Sequence, residues 1–279
     1  MDDINYILGD ASKNDKQMVK ELSIFIKNHS NKNLPINKKF VIGICDIIFR
    51  NSEIDYSEVC FNDKIKRAAY DRNDKKISIN ILGIINGEKI MNAAYYKFQD
   101  DNLKITLYFG ILYSLIHEVT HAKQYEIMRN NKNVIYTLCD ELIQKNYNAY
   151  LNNHHDLLLI ERYAYLRGYI LAFQVLSYVF PVEQINVFQM LVAANLLLGY
   201  KKKDNGEIVS AIENFNIILE ENGLEKIYIE YGDDMSLYNR LYLGLPISIE
   251  EYDKVFDLGY DVFISKTKHG EFKELVKKL

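Results

Sequence analysis

His117-Glu118-Val119-Thr120-His121 is the stretch of this chain whose residue types and spacing point most directly to chemistry. Histidines four residues apart on a helix stand one turn apart on one face, so both imidazoles reach a single metal ion. Glu118 is turned by about 100° from His117 yet stays beside that ion. There it can take a proton from a water in the ion's open position. These groups make up a zinc hydrolase centre short of one ligand. The chain holds six His in 279 residues, and by composition the pattern arises by chance in roughly one such chain in a hundred. Context therefore decides. The motif lies in a proline-free, largely apolar run from about residue 102 to 129, with Asp100 and Asp101 before it as an N-cap would be. Two hydrogen-bonded core histidines and an exposed glutamate would fit the pattern too, but three ionisable groups in so apolar a helix need a partner. Without one their burial costs several kcal/mol, and a divalent cation removes that cost.

Two downstream glutamates compete for the third ligand position. Around Glu141 the helical neighbours are Gln144, Lys145 and Asn148, a polar face. Around Glu161 they are Ala164 and Gly168, small enough for a second helix to approach the metal helix closely. Leu157–Ile160 and Tyr169–Phe173 flank Glu161 with apolar side chains, which predicts its burial. Glu161 is the preferred ligand and Glu141 the reserve. A surface pairing of Glu161 with Arg162 or Arg167 is the competing reading.

His117-Glu-Val-Thr-His-Ala-Lys-Gln124, followed by Glu161-Arg-Tyr-Ala164, resembles the gluzincin group of metallopeptidases. It is similar in particular to the ImmA/IrrE-type bacterial neutral zinc peptidases, whose third ligand lies in an E-x-x-A helix. Ala68–Ile79 is similar to the strand pair that precedes the motif helix there. The resemblance covers roughly residues 58–173. It implies a zincin-like core, Zn2+ held by His117, His121 and Glu161, Glu118 as general base, and a peptide or protein substrate. Two further readings stand beside the peptidase: a non-catalytic metal-binding protein, and an interaction or regulatory protein on the same scaffold.

Composition narrows the rest. A net charge of −4 and the absence of a basic stripe argue against a nucleic-acid partner. Lys201-Lys202-Lys203 is expected to close a helix, where the dipole favours cations. Cys45, Cys60 and Cys139 are widely spaced and lack a C-x-x-C pattern, which predicts reduced thiols in the cytoplasm. The acidic start Met1–Asn5 carries no apolar stretch, so no signal peptide is expected. Polar residues interrupt Tyr169–Tyr200, so no membrane span is expected either.

The elements that must position the motif read as mainly α, of α+β type. Helices are expected over 14–29, with Met18, Leu22, Ile24 and Phe25 inward, and over 37–50. Residues 57–69 and 75–84 read as a hairpin joined by Asp71-Arg72-Asn73-Asp74. The 75–84 strand would offer its edge to an extended peptide. After the motif helix come helices near 133–148, through Glu161 to 179, from Pro181 to about 200, and over 206–221, 235–243 and 261–279. Ser248-Ile-Glu-Glu251 is a capping box opening a helix to about 257. No linker or repeat divides the chain. One domain over 1–279 is expected, α/β over about 1–130 and helical from 131 to 279.

Secondary candidates surround the site. On the loop 152–156, His154 or His155 could stabilise an oxyanion, and Asp156 could orient a ligand imidazole. A merely polar loop explains them as well. Tyr163 and Tyr165 read as packing residues, and Thr120 and Gln124 as donors supporting the ligands.

Overall fold

The computed structural model describes residues 12–32, 36–71, 73–84, 100–130, 159–181, 185, 197, 199–229 and 231–257. These are mainly helical, with a small sheet. In chain order they form α1 (Ser12–Asn31), α2 (Lys38–Ser52), β1 (Glu58–Phe61), β2 (Ala68–Asp71), β3 (Lys76–Ile79), α3 (Asp100–Asn130), α4 (Leu159–Ser177), β4 (Lys201–Lys202), β5 (Ile208–Val209), α5 (Ala211–Glu221) and α6 (Leu237–Leu243). The helices expected at 133–148 and 261–279, and most of that after Pro181, lie outside the described residues. The chain groups into two compact units, neither of them continuous in sequence. One takes residues 11–123 and 167–191, and the other takes 124–166 and 192–259.

In the first unit α1 buries Met18, Leu22 and Ile26, residues i, i+4 and i+8 of one face. Ile24, expected inside, is 54% exposed because it falls off that face. Asn37 caps α2 by accepting from the Phe40 amide at 3.0 Å. Glu53 ends the helix in the left-handed region. Phe25 lies against Gly43, where a Cβ would meet its ring at 2.6 Å, so α1 and α2 pack closely at that glycine.

The sheet departs from the simple hairpin. Its order is β1-β3-β2, with β1 parallel and β2 antiparallel to β3. The stretch 57–69 is two strands rather than one, since residues 62–67 turn between them. Asn80 organises that turn: its amide donates to the carbonyls of Asp63 (3.2 Å) and Ile65 (2.7 Å). Its Oδ1 accepts from the Gly83 amide at 2.8 Å, which stops β3 at Ile79 and starts the helical turn 81–84. The strand 76–79 is therefore central, both its edges are paired, and it has no edge to give a peptide. The outer edge on the hairpin side belongs to β2. Asn80 donates its backbone N–H to Arg67 O at 2.7 Å, making that facing pair a hydrogen-bonded one. Antiparallel pairs alternate, so Ala68 and Tyr70 turn their N–H and C=O groups away from β3.

α3 and α4 pack through aromatic rings in this unit. Phe109 lies 4.9 Å from Phe173 and 5.7 Å from Tyr169, and Tyr113 lies 4.5 Å from Tyr169, between ring centroids. Gly168 permits the approach: a Cβ there would meet the Tyr113 ring at 3.0 Å and its carbonyl at 3.2 Å.

In the second unit Gln124 donates to Ile160 O at 2.9 Å, joining the end of α3 to the start of α4. Lys201 and Lys202 are not a helix terminus. They pair with β5 as a short hairpin, and their charges are met by neighbours: Lys202 binds Asp253 at 2.6 Å, and Lys203 binds Glu207 at 2.8 Å. The helix expected from 206 begins at Ala211 instead. Ser210 caps it in a box with Glu213, and residues 208–209 are strand. The expected box at Ser248 is present, with Glu251 and Ser248 exchanging hydrogen bonds at 2.9 and 3.2 Å. Gly244 ends α6 at φ 76°, and its open face receives Arg162 and Ala211. The Arg162 guanidinium donates to Leu241 O and lies 5.7 Å from the centre of the Tyr200 ring. The Tyr200 hydroxyl donates to Leu245 O at 2.6 Å.

Candidate metal centre

The ligand atoms of His117, His121 and Glu161 all lie within 4.8 Å of one another, and all three residues are buried. α3 supplies the imidazoles and α4 the carboxylate. The helical repeat of four turns His117 and His121 to one side, with their Nε2 atoms 3.0 Å apart and their rings at 88°. A tetrahedral zinc ion with Zn–N near 2.05 Å holds two nitrogen ligands about 3.3 Å apart, close to this separation. Two nitrogens and a carboxylate oxygen, buried and convergent, are a donor set suited to a divalent cation of intermediate softness. The residues present therefore fit a metal ion.

Glu118 is half-buried and, as the residue after His117, lies about 100° around the helix from it. Its Oε2 accepts from the backbone N–H of Tyr70 at 3.1 Å. That amide is one of the two that β2 directs away from β3, so the strand register sets the position of a side chain on α3. The sequence identifies Glu118 but gives no sign of Tyr70, because the contact is made by backbone.

Glu161 is buried, whereas the competing reading places it on the surface. Arg167 pairs with Asp15 at 2.7 Å, and Arg162 donates to a carbonyl of α6. Thr120 and Gln124 do form helix-to-helix bonds. Thr120 Oγ1 donates to Ile116 O at 2.6 Å and accepts from Arg167 Nη1 at 3.0 Å. Tyr163 and Tyr165 are half-buried. Glu141, His154, His155 and Asp156 lie outside the described residues.

Asp15 and Ser52 escaped the sequence reading. Asp15 falls on the α1 face that buries Met18, Leu22 and Ile26, at i−3 and i−7 from the first two. An acid on an apolar stripe is the signal that marks it, because a buried carboxylate needs a partner.

Cys45 and Cys60 are free thiols. Burial pushes the Cys45 thiol up to about 12, which removes it as a nucleophile at neutral pH. Among the described residues no helix is long and apolar enough to cross a membrane.

No family model, no curated protein and no solved structure matches the chain.

Proposed function

We propose that the chain is a zinc-dependent hydrolase of peptide bonds with a zincin-like core, acting on a peptide or protein substrate in the cytoplasm. One observation carries this reading: His117, His121 and Glu161 converge within 4.8 Å, and Glu118 directly follows His117 on the helix that carries both histidines. In this reading the three convergent residues hold Zn2+. Zinc supplies Lewis acidity, which makes a water acidic near neutral pH and polarises a carbonyl. Glu118 takes the proton of the attacking water and returns it to the leaving amine. The Tyr70 amide holds one oxygen of that carboxylate and so orients the other.

The carboxylate of Glu118 directly after His117 favours the peptidase over the non-catalytic alternative, because a metal site that only braces the fold needs no general base. The test pairs metal analysis with hydrolysis. Wild type and Glu161→Ala are compared for zinc by elemental analysis, and wild type and Glu118→Gln for cleavage of a mixed peptide library. Zinc in wild type alone of the first pair, with cleavage by wild type alone of the second, is the expected result. Zinc binding with no cleavage of any peptide or protein offered would replace the peptidase with a metal-binding protein.

A further inference from the structure

We infer that Arg167 is a positioning residue for the metal centre, acting through Thr120 and anchored by Asp15. The inference rests on the reading that His117, His121 and Glu161 hold a metal.

Side chains from three other helices meet around the Arg167 guanidinium of α4. Nη2 binds Asp15 Oδ1 of α1 at 2.7 Å and Ser52 Oγ of α2 at 3.5 Å, and Nη1 binds Thr120 Oγ1 of α3 at 3.0 Å. Arg167, Ser52 and Thr120 are at least nine-tenths buried, and the Asp15 side chain is 12% exposed. A guanidinium has donors only, so Thr120 must accept from it. The threonine proton is thereby left for Ile116 O, 2.6 Å away. Thr120 is thus locked at both ends. It lies between the two ligand histidines in sequence, and its acceptor Ile116 directly precedes the first of them.

The same residue sets the register of α4. A buried arginine is stable only where its carboxylate accompanies it. Advancing α4 by one residue would rotate Arg167 by about 100° and shift it by about 1.5 Å, away from both Asp15 and Thr120. Gly168, next in sequence, lies against Tyr113, so α4 has little room to slide there. Glu161, Ala164 and Gly168 share one face of α4, at i, i+3 and i+7. Fixing Arg167 therefore fixes the face on which Glu161 is carried. Groups that orient metal ligands without touching the metal typically change affinity by about 10–100-fold when removed.

A structural role and a positioning role come apart in the double variant Asp15→Leu/Arg167→Met. Replacing a whole buried ion pair by apolar side chains is often neutral or stabilising, whereas removing one partner strands the other. The double variant is expected to unfold in urea no earlier than wild type. Its zinc affinity, measured by competition with a chromophoric chelator, should nevertheless fall by about 10–100-fold. The visible spectrum of its Co2+ form should differ from that of wild type. Thr120→Val, which keeps shape and removes the acceptor, should weaken zinc in the same direction and serves if the double variant does not fold. Arg167→Lys, still able to reach Asp15, should recover part of the affinity lost in Arg167→Met. Wild-type zinc affinity and an unchanged Co2+ spectrum in either the double variant or Thr120→Val would overturn the inference while leaving the metal site intact. Failure of wild type itself to bind zinc would overturn the underlying reading and this inference with it.

Discussion

Glu118 of the motif helix accepts a hydrogen bond from the backbone N–H of Tyr70 at 3.1 Å, although the two residues are 48 apart in sequence. A strand amide facing away from its own ladder thereby holds the carboxylate proposed as general base. Tyr70→Pro deletes that donor together with the Tyr70 ring, which lies 6.3 Å from the Phe49 ring, and Tyr70→Ala, which removes the ring and keeps the amide, is its control. Proline is tolerated on an edge strand where the lost N–H faces outward, so the sheet should survive. Zinc content should stay at the wild-type level, and peptide cleavage should fall by about 10-fold, the effect of a misplaced but present base. Wild-type cleavage by a folded Tyr70→Pro protein would show that the contact does not orient Glu118.

Glu118→Gln retains the shape of the side chain and all three candidate ligands. It is expected to bind zinc as wild type does and to lose cleavage by a factor of about 100 or more. His121→Ala should lose both. Full cleavage by Glu118→Gln, measured on any peptide that wild type cuts, would remove water activation by this residue from the mechanism.

About one zinc per chain is expected. Added zinc should raise the unfolding midpoint, by about 2.7 kcal/mol of stability at 100 times the dissociation constant. Glu161→Ala should weaken zinc by orders of magnitude, and Glu141→Ala should leave it near the wild-type value. Calorimetric titration of the three proteins checks both statements, and a large loss in Glu141→Ala alone would move the third ligand to that residue.

Gly168 marks the close approach of α4 to Tyr113. Gly168→Val would place atoms inside 3.3 Å of that ring and its carbonyl. The overpacking is expected to cost about 1–3 kcal/mol in urea unfolding. A variant as stable as wild type would mean that the helices separate there without penalty.

The Glu251 carboxyl is held below its ordinary range, chiefly by its hydrogen bonds from Arg240, with which it forms a two-pronged pair. A carboxyl lowered by folding adds stability above its unfolded pKa, near 4.5, and loses it as pH falls through the folded value. Glu251→Gln should therefore cost about 1 kcal/mol at neutral pH. The gap to wild type should close as the solution is taken below about pH 4, as followed by thermal melts.

Local spacing and local chemistry account for what could be read ahead of the structure. The four-residue histidine spacing places both candidate ligands on one helix face wherever that helix packs, and the Ser248 box is a purely local signal. The small residues after Glu161 also speak for themselves, since Gly168 is where the helices come close. What escaped was set by partners distant in sequence. The parallel pairing of β1 with β3 depends on Asn80 gathering the 62–67 turn, and nothing in the strand residues announces it. Lys201–Lys203 read as a helix end because charge favours one, but the turn through Gly206 at φ 84° makes a hairpin instead. Tyr70 was invisible because a backbone amide has no residue type.

Asp15 and Arg167 lie 152 residues apart, and that separation has a meaning in time. At a synthesis rate of roughly 5–20 residues per second, Arg167 is made about 8–30 s after Asp15. Throughout that interval α1 carries an acid on the face it will later bury, and the charge keeps that face hydrated. All three candidate ligands are also made before Arg167. Translation thus delivers the candidate ligands first and their proposed clamp last, so a nascent chain that stops short of residue 167 holds the candidate donors without the group proposed to fix them.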